Sequence, residues 1–336
     1  MATVGIPQAL AYHFFFPFWQ TLLKEIGTEI VVSSQTTKAV LDQGVLEASN
    51  DLCIPLKIYH GHVAQLRDKV DMILIPRWVS IKKVDTFCPK FLGLPEIIKY
   101  SMEDLPPLIS PRIDTGKHPF SFIYLIRQIA NFFSCSPIKA ARAMYKALQT
   151  QRSFRQLMLE GQTSPEAMKV LLVGDKKENH NSKMTGAVNI AVLGYPYSLY
   201  DDYLNGNILK KLSCLGVKIL TPEMVPYHIL IQKAAYFPKD LFWHFSNRVL
   251  WAGMYFLEQP TVDGIIHLSN FACGPDAMVN KLLELETKRW QRPFLTVTLD
   301  EHTGQAGIHT RVEAFIDMVL WRRGLKLNEN NLSLHG

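Results

Sequence analysis

Residues 3–33 read Thr3-Val4-Gly5-Ile6-Pro7, then an aromatic-rich stretch ending Leu22-Leu23-Lys24-Glu25-Ile26-Gly27, then Glu29-Ile30-Val31-Val32-Ser33. Residues 192–222 repeat this pattern. They read Val192-Leu193-Gly194-Tyr195-Pro196, a stretch ending Lys210-Lys211-Leu212-Ser213-Cys214-Leu215-Gly216, then Lys218-Ile219-Leu220-Thr221. Gly5, Pro7 and Gly27 fall on Gly194, Pro196 and Gly216 with identical spacing. Each copy predicts an apolar strand, a turn, a helix closed by a glycine cap, and a second strand, which is a βαβ unit. Two such units predict an α/β fold of two Rossmann-like (flavodoxin-like) domains with mostly parallel sheets.

Working outward, the first copy continues with helices at 37–48 and 55–67 and a strand at Asp71–Pro76. The second continues with an aromatic helix from Pro238 to about Leu257 and strand Gly264–Ser269. A helix at 275–289, strand Phe294–Asp300 and a last helix at 306–322 follow. Strands alternating with helices point to parallel sheets covered on both faces. Between the copies, 115–173 reads as helical, with Ser136-Pro137 and Ser164-Pro165 as N-cap and first-turn proline signals. The expected organisation is a first α/β domain over 1–114, a helical insert and linker over 115–187, a second α/β domain over 188–324, and a disordered tail over 325–336. The polar run 175–183 is the expected linker.

The chain has 336 residues, 48% hydrophobic and 20% charged, enough for a substantial core, which excludes a wholly disordered or collagenous protein. The apolar windows 119–133 and 249–257 are too short or too polar for a membrane span of about 20 residues. No basic region precedes the first apolar stretch, so no signal peptide is expected and a cytoplasmic location follows. The 36 basic and 30 acidic residues are scattered as short pairs such as Lys82-Lys83 and Arg322-Arg323. A nucleic-acid reader would concentrate its charge on one element, so no nucleic acid is expected.

Five cysteines are too few for a disulfide scaffold and odd in number. Three share a setting: Cys53-Ile54-Pro55, Cys88-Pro89 and Cys273-Gly274-Pro275. Each proline reads as opening a helix, which puts the sulfur at a helix N-terminus. Free N–H groups and the helix dipole there favour a thiolate, the form that metals bind. The other reading is three core cysteines beside turns. Cys135 and Cys214 lack the proline and read as ordinary small residues. No CxxC occurs, so a zinc ribbon or thioredoxin motif is excluded, although zinc shared among distant ligands stays open.

These turns belong to a wider motif set: Gly5-Ile6-Pro7, Cys53-Ile54-Pro55-Leu56-Lys57 with Gly61-His62, and Phe87-Cys88-Pro89-Lys90 through Pro95. It continues with Phe271-Ala272-Cys273-Gly274-Pro275, Asp300-Glu301-His302-Thr303, Ala306-Gly307 and Thr310 through Phe315. With these motifs, from residue 1 to about 320, the chain resembles the 2-hydroxyacyl-CoA dehydratase D-component superfamily, which includes benzoyl-CoA reductase subunits. More closely it resembles the acyl-CoA dehydratase activase-related, or CoA protein activase, branch. The resemblance implies a low-potential 4Fe-4S cluster on Cys53, Cys88 and Cys273, with one iron left without a protein thiolate. It implies an ATP-dependent, actin-like activase as electron donor, an acyl-CoA as substrate, and pairing with a second copy or a related chain. The chain has no Walker-type glycine loop of its own. The alternative is a non-catalytic iron–sulfur electron-transfer or regulatory subunit that docks on an activase.

Within the same motifs, Glu301 and His302 at a strand end are the candidate acid–base groups. The competing reading has Asp300 and Thr303 capping a helix while Arg311 and Glu313 form ion pairs. Lys57 and Lys90 are candidate cofactor-binding cations. His60 and His62, two apart on a helix, face different sides and do not form a joint metal site. The aromatic stretch 242–256 reads as core packing, with a dimer interface as the other reading.

Overall fold

The computed structural model describes residues 2–81, 86–116, 120–175 and 188–324. Most of the expected linker and the whole of the expected tail 325–336 lie outside the described residues. The first α/β unit runs β1 (Thr3–Ile6), α1 (Tyr12–Ile26), β2 (Glu29–Val32), α2 (Lys38–Glu47), α3 (Ile54–Leu66) and β3 (Met72–Leu74). It continues β4 (Arg77–Ser80), α4 (Pro89–Leu92), α5 (Leu94–Ser101), β5 (Leu108–Ile109) and β6 (Arg112–Asp114). The helices α6 (Ser121–Phe132), α7 (Pro137–Leu159) and α8 (Ser164–Met168) follow. The second unit runs β7 (Asn189–Leu193), α9 (Pro196–Leu199), α10 (Ile208–Cys214), β8 (Lys218–Leu220), α11 (Tyr227–Ala234) and α12 (His244–Glu258). It ends with β9 (Gly264–Asn270), α13 (Gly274–Arg289), β10 (Phe294–Leu299) and α14 (Gln305–Arg322).

The two sheets share one topology. The first is ordered β2-β1-β3-β5 and the second β10-β9-β7-β8, every pairing parallel. In order of appearance, both place the first strand between the second and the third, which is the flavodoxin-like arrangement. The repeated glycines act as expected: Gly27 and Gly216 have φ of 91° and 75°, left-handed values that other residues reach only with strain. The parallel pair β4–β6 continues β3–β5: the Ile75 N–H donates to the Ile109 carbonyl and the Arg77 N–H to the Pro111 carbonyl, while Pro111, which carries no N–H, donates nothing in return.

Two expectations need correction. The helix expected from Pro238 starts at His244, because residues 241–243 are held in a bridge to the first unit. The Asn247 side chain receives the Leu241 N–H and donates to its carbonyl, at 3.0 and 2.7 Å. The Phe242 carbonyl receives the Thr86 N–H, and the His244 N–H donates to the Thr86 carbonyl. The second copy also lacks the single long helix of the first. It divides into α9 and α10 around a loop in which Gly206 and Asn207 have φ of 63° and 59°. Asn205 bonds the Ser198 and Leu199 carbonyls and stops α9 from continuing.

The insert lies along α1. Lys139 donates to the Ile26 carbonyl at the end of α1, Gln151 to the Phe14 carbonyl at 2.8 Å, and Ser164 to the His13 carbonyl. Arg155 from α7 and Arg248 from α12 both stand over the Phe14 ring, at 5.6 and 5.2 Å from its centroid, so the insert and the second unit meet at one ring of the first. Among the described residues, no helix is long and apolar enough to cross a membrane.

Candidate functional site

Cys53, Cys88 and Cys273 occupy the N-caps of α3, α4 and α13, each in extended backbone with a proline in the first turn. The N–H groups of Leu56, Phe91 and Asp276, three residues on, face the sulfurs and favour the thiolate, although none closes a full capping hydrogen bond. Ala272, just before Cys273, is held at φ 59°, a value costly for a residue with a Cβ.

The three thiols come from two units and lie near enough for charge to pass between them: Cys53 feels the charge of Cys88, and Cys273 feels both. Burial pushes the Cys53 thiol up to about 11, with the neighbouring Cys88 adding to it. Burial also raises Cys88 and Cys273, and at Cys273 the Asp276 carboxylate adds to the effect. Lys90 opposes this at Cys53 and Cys88. The shell is aromatic. A cavity of about 20 Å³ between Cys88 and Cys273 is lined by Phe87, Phe91, Tyr195, Tyr197, Trp243 and Phe245. Burial holds the Tyr197 hydroxyl well above its usual range, and the Cys273, Cys88 and Cys53 charges act in the same direction. Among the described residues, no group of three or more His, Cys, Asp or Glu side chains is placed to hold a metal ion.

Behind Cys273 lies a buried polar network that the sequence reading missed. Asp276 Oδ2 accepts the Asn270 N–H at 2.7 Å and its side-chain amide at 3.0 Å. Asp276 Oδ1 stands 3.2 Å from His267 Nε2, both side chains fully buried. His267 Nδ1 and Thr296 Oγ1 both approach Asn280 Oδ1, at 3.0 and 2.8 Å. The only local hint was an acidic residue in the first turn of α13 beside the cysteine.

The other candidates separate. Lys57 and Glu301 meet each other: Lys57 Nζ donates to Glu301 Oε2 at 2.8 Å, the lysine 8% and the glutamate 31% exposed. His302 is 89% exposed, with Nε2 3.9 Å from Glu301 Oε1. Asp300 receives the His302 N–H and the Thr303 hydroxyl, so these residues close their own turn. The first turn of α14 has no side-chain cap, which corrects the helix-capping reading. Glu313 pairs with Lys211, and Arg311 donates to the Thr296 carbonyl. His60 bonds the Leu56 carbonyl and Ser101, while His62 bonds Ser33 and Thr36, so the two imidazoles point apart as expected. Cys135 is half-buried and Cys214 exposed. Phe245, Trp251 and Phe256 of the aromatic helix are buried in the core.

No curated protein matches the sequence. Among solved structures, a chain described as a phosphosugar isomerase from Silicibacter pomeroyi is similar over 97% of this chain and 88% of that one. The identity is 7% and the TM-score 0.23. A family model described as CoA enzyme activase uncharacterised domain matches residues 3–225, which take in Cys53 and Cys88 but stop short of Cys273. That match spans well over half of the sequence, and the chain belongs to the CoA enzyme activase uncharacterised domain family.

Proposed function

We propose that Cys53, Cys88 and Cys273 hold a 4Fe-4S cluster in a D-component-like protein that works with an ATP-dependent activase on an acyl-CoA. The observation that carries this reading is that three N-cap thiols from two units sense one another's charge, two of them, Cys88 and Cys273, lining one aromatic cavity. The donor set fits: three thiolates suit iron and sulfide, and buried surroundings suit a low potential. A lone zinc would need its ligands packed tetrahedrally at about 2.3 Å from the metal. Cluster cysteines stand on different irons, so thiols that sense each other's charge in buried surroundings suit a cluster.

The bound cluster would supply one-electron transfer at low potential. The chain's own residues do the rest. The N–H groups of Leu56, Phe91 and Asp276 stabilise the thiolates, and Lys90 offsets charge at Cys53 and Cys88. Phe87, Phe91, Tyr195, Tyr197 and Phe245 exclude water. The Lys57–Glu301 pair ties the helix that carries Cys53 to the second unit.

A second reading is a non-catalytic electron-transfer subunit docking on an activase. The engagement of Glu301 by Lys57 and the exposure of His302 favour it, since no acid–base pair is left gathered at the thiols. The test is anaerobic purification with iron and sulfide analysis, EPR, and Cys→Ser variants at 53, 88 and 273. Iron and sulfide in equal amounts, lost from each variant, support the cluster. An iron-free parent from cells competent in cluster assembly, or a Cys53→Ser variant that keeps its iron, overturns it. Turnover on an acyl-CoA with the activase separates the first reading from the second.

A further inference from the structure

A second polar site lies between the two units, away from the cysteine cavity. The loops after β1 and β2 supply Gln8, Gln35 and Thr36, α1 supplies His13, and the loop after α9 supplies Tyr200, Asp201 and Tyr203. They enclose a cavity of about 60 Å³, room for a group of a few heavy atoms. It sits at the carboxyl ends of strands, where ligands of doubly wound folds bind.

Two buried side chains face this cavity with unused capacity. His13 is 6% exposed, and among the described residues neither of its ring nitrogens has a hydrogen-bond partner. Burial first, and His62 second, push His13 down to about 3, so the ring is neutral and offers a lone pair. Asp201 is 7% exposed. Its Oδ1 accepts the Leu204 N–H at 3.0 Å and its Oδ2 accepts the Thr36 hydroxyl at 2.6 Å. The Tyr203 N–H also faces the carboxylate, and of its roughly four acceptor positions at least one remains.

The hydrogen bonds behind Asp201 run in one direction. Thr36 has one proton and gives it to Asp201, so His62 Nε2 must be the donor to Thr36 Oγ1, at 3.0 Å. His62 Nδ1 then accepts the Ser33 hydroxyl at 2.9 Å, and Ser33 accepts the Gln8 N–H at 2.8 Å. This chain orients the carboxylate but brings it no positive charge. Among the described residues no Lys or Arg lines the cavity, and neighbouring Asp202 adds negative charge. Burial raises Asp201 to about 6, as expected for an anion without a counter-ion.

We propose that this cavity binds a small primary ammonium group, held by Asp201 and the neutral His13 imidazole against the Tyr200 and Tyr203 rings. An ammonium supplies three donors. Its acceptors here are Asp201, a His13 ring nitrogen and the Gln8 or Gln35 amide oxygen, and tyrosine rings attract a cation. A phosphate or carboxylate ligand would meet the buried Asp201 charge with no cation to offset it.

The test uses the full chain. Methylammonium and ethanolamine are titrated by calorimetry and thermal shift at constant ionic strength, with acetate and ethylene glycol as the anionic and neutral probes. The expected result is saturable binding of an amine only, weakened about tenfold or more in Asp201→Asn by loss of one charge-assisted bond. In the parent, the His13 ring NMR signals shift with the amine, a readout that does not depend on the variant folding well. The proposal is overturned by absence of saturable amine binding, by equal binding of ethylene glycol, by undiminished binding in a folded Asp201→Asn, or by unmoved His13 signals.

Discussion

Lys57 and Glu301 lie 244 residues apart, and the lysine ammonium donates to the glutamate carboxylate at 2.8 Å. The lysine sits one turn into α3, the helix capped by Cys53, and the glutamate in the loop after β10. The contact therefore clamps one cysteine-bearing helix of the first unit to the second.

Removing one partner of this clamp leaves a nearly buried charge unpaired. Glu301→Gln should destabilise the protein by about 2 kcal/mol, and Lys57→Met combined with it should recover part of that loss. Denaturant unfolding of both single variants and the double variant measures the coupling. Additive losses would mean that the two residues do not act as a pair.

The cysteines should differ in reactivity in the metal-free chain. With Cys53 raised to about 11, roughly one thiol in a thousand is ionised at pH 8, and the thiolate is the reactive form. Cys88 and Cys273 are raised by the same burial. Cys214 is exposed. Iodoacetamide labelling followed by mass spectrometry should modify Cys214 well before the other three. Early labelling of Cys53 would contradict its burial.

Helices α2 and α3 meet at Gly44 and Gly61. A Cβ on Gly44 would lie 1.9 Å from the Lys57 carbonyl oxygen, and one on Gly61 1.9 Å from that of Val40. Both obstacles are backbone, so the helices must separate. Gly44→Ala and Gly61→Ala should each cost about 2–3 kcal/mol. Because α3 carries Cys53 and Lys57, both variants should also lose iron, if the cluster forms, before they lose secondary structure. Thermal unfolding and iron content check this.

Stability should depend on pH through buried groups. Burial holds His13 and His62 at about 3 and 4, below the ordinary 6.5, and lowers His60 as well. The unfolded chain thus binds more protons than the native one between pH 4 and 6, and these groups raise stability as pH rises. Asp201, raised from 3.8 to about 6, binds its proton in the native state over the same window and opposes them. The parent should lose stability as pH falls from 6.5 to 4, and Asp201→Asn should lose it more steeply. Urea unfolding at several pH values measures the slopes. Equal slopes would show that Asp201 titrates as an ordinary carboxylate.

The repeated Gly–Pro–Gly spacing was enough to read two α/β units, because a left-handed glycine cap and alternating strands are local properties. The N-cap setting of Cys53, Cys88 and Cys273 was legible for the same reason: a proline in the first turn restricts only its neighbours. The start of α12 was not legible. Residues 241–243 have no helix-breaking composition, and it is Thr86, more than 150 residues away, that holds them extended. Nor was the pairing of Lys57 with Glu301, whose local motifs suggest only a cofactor-binding cation and an acid–base group.

By itself, then, the sequence determined the class of fold, the repeat and which three cysteines begin helices, since these follow from nearest-neighbour stereochemistry. Only the tertiary structure decided that the three cysteines come near enough to feel one another's charge, that Lys57 and Glu301 neutralise each other, and that His13 and Asp201 line a second cavity. Each of those relations joins groups on different units. Their charges and burial depend on how two separately folded sheets come to face each other, and no local pattern encodes that distance.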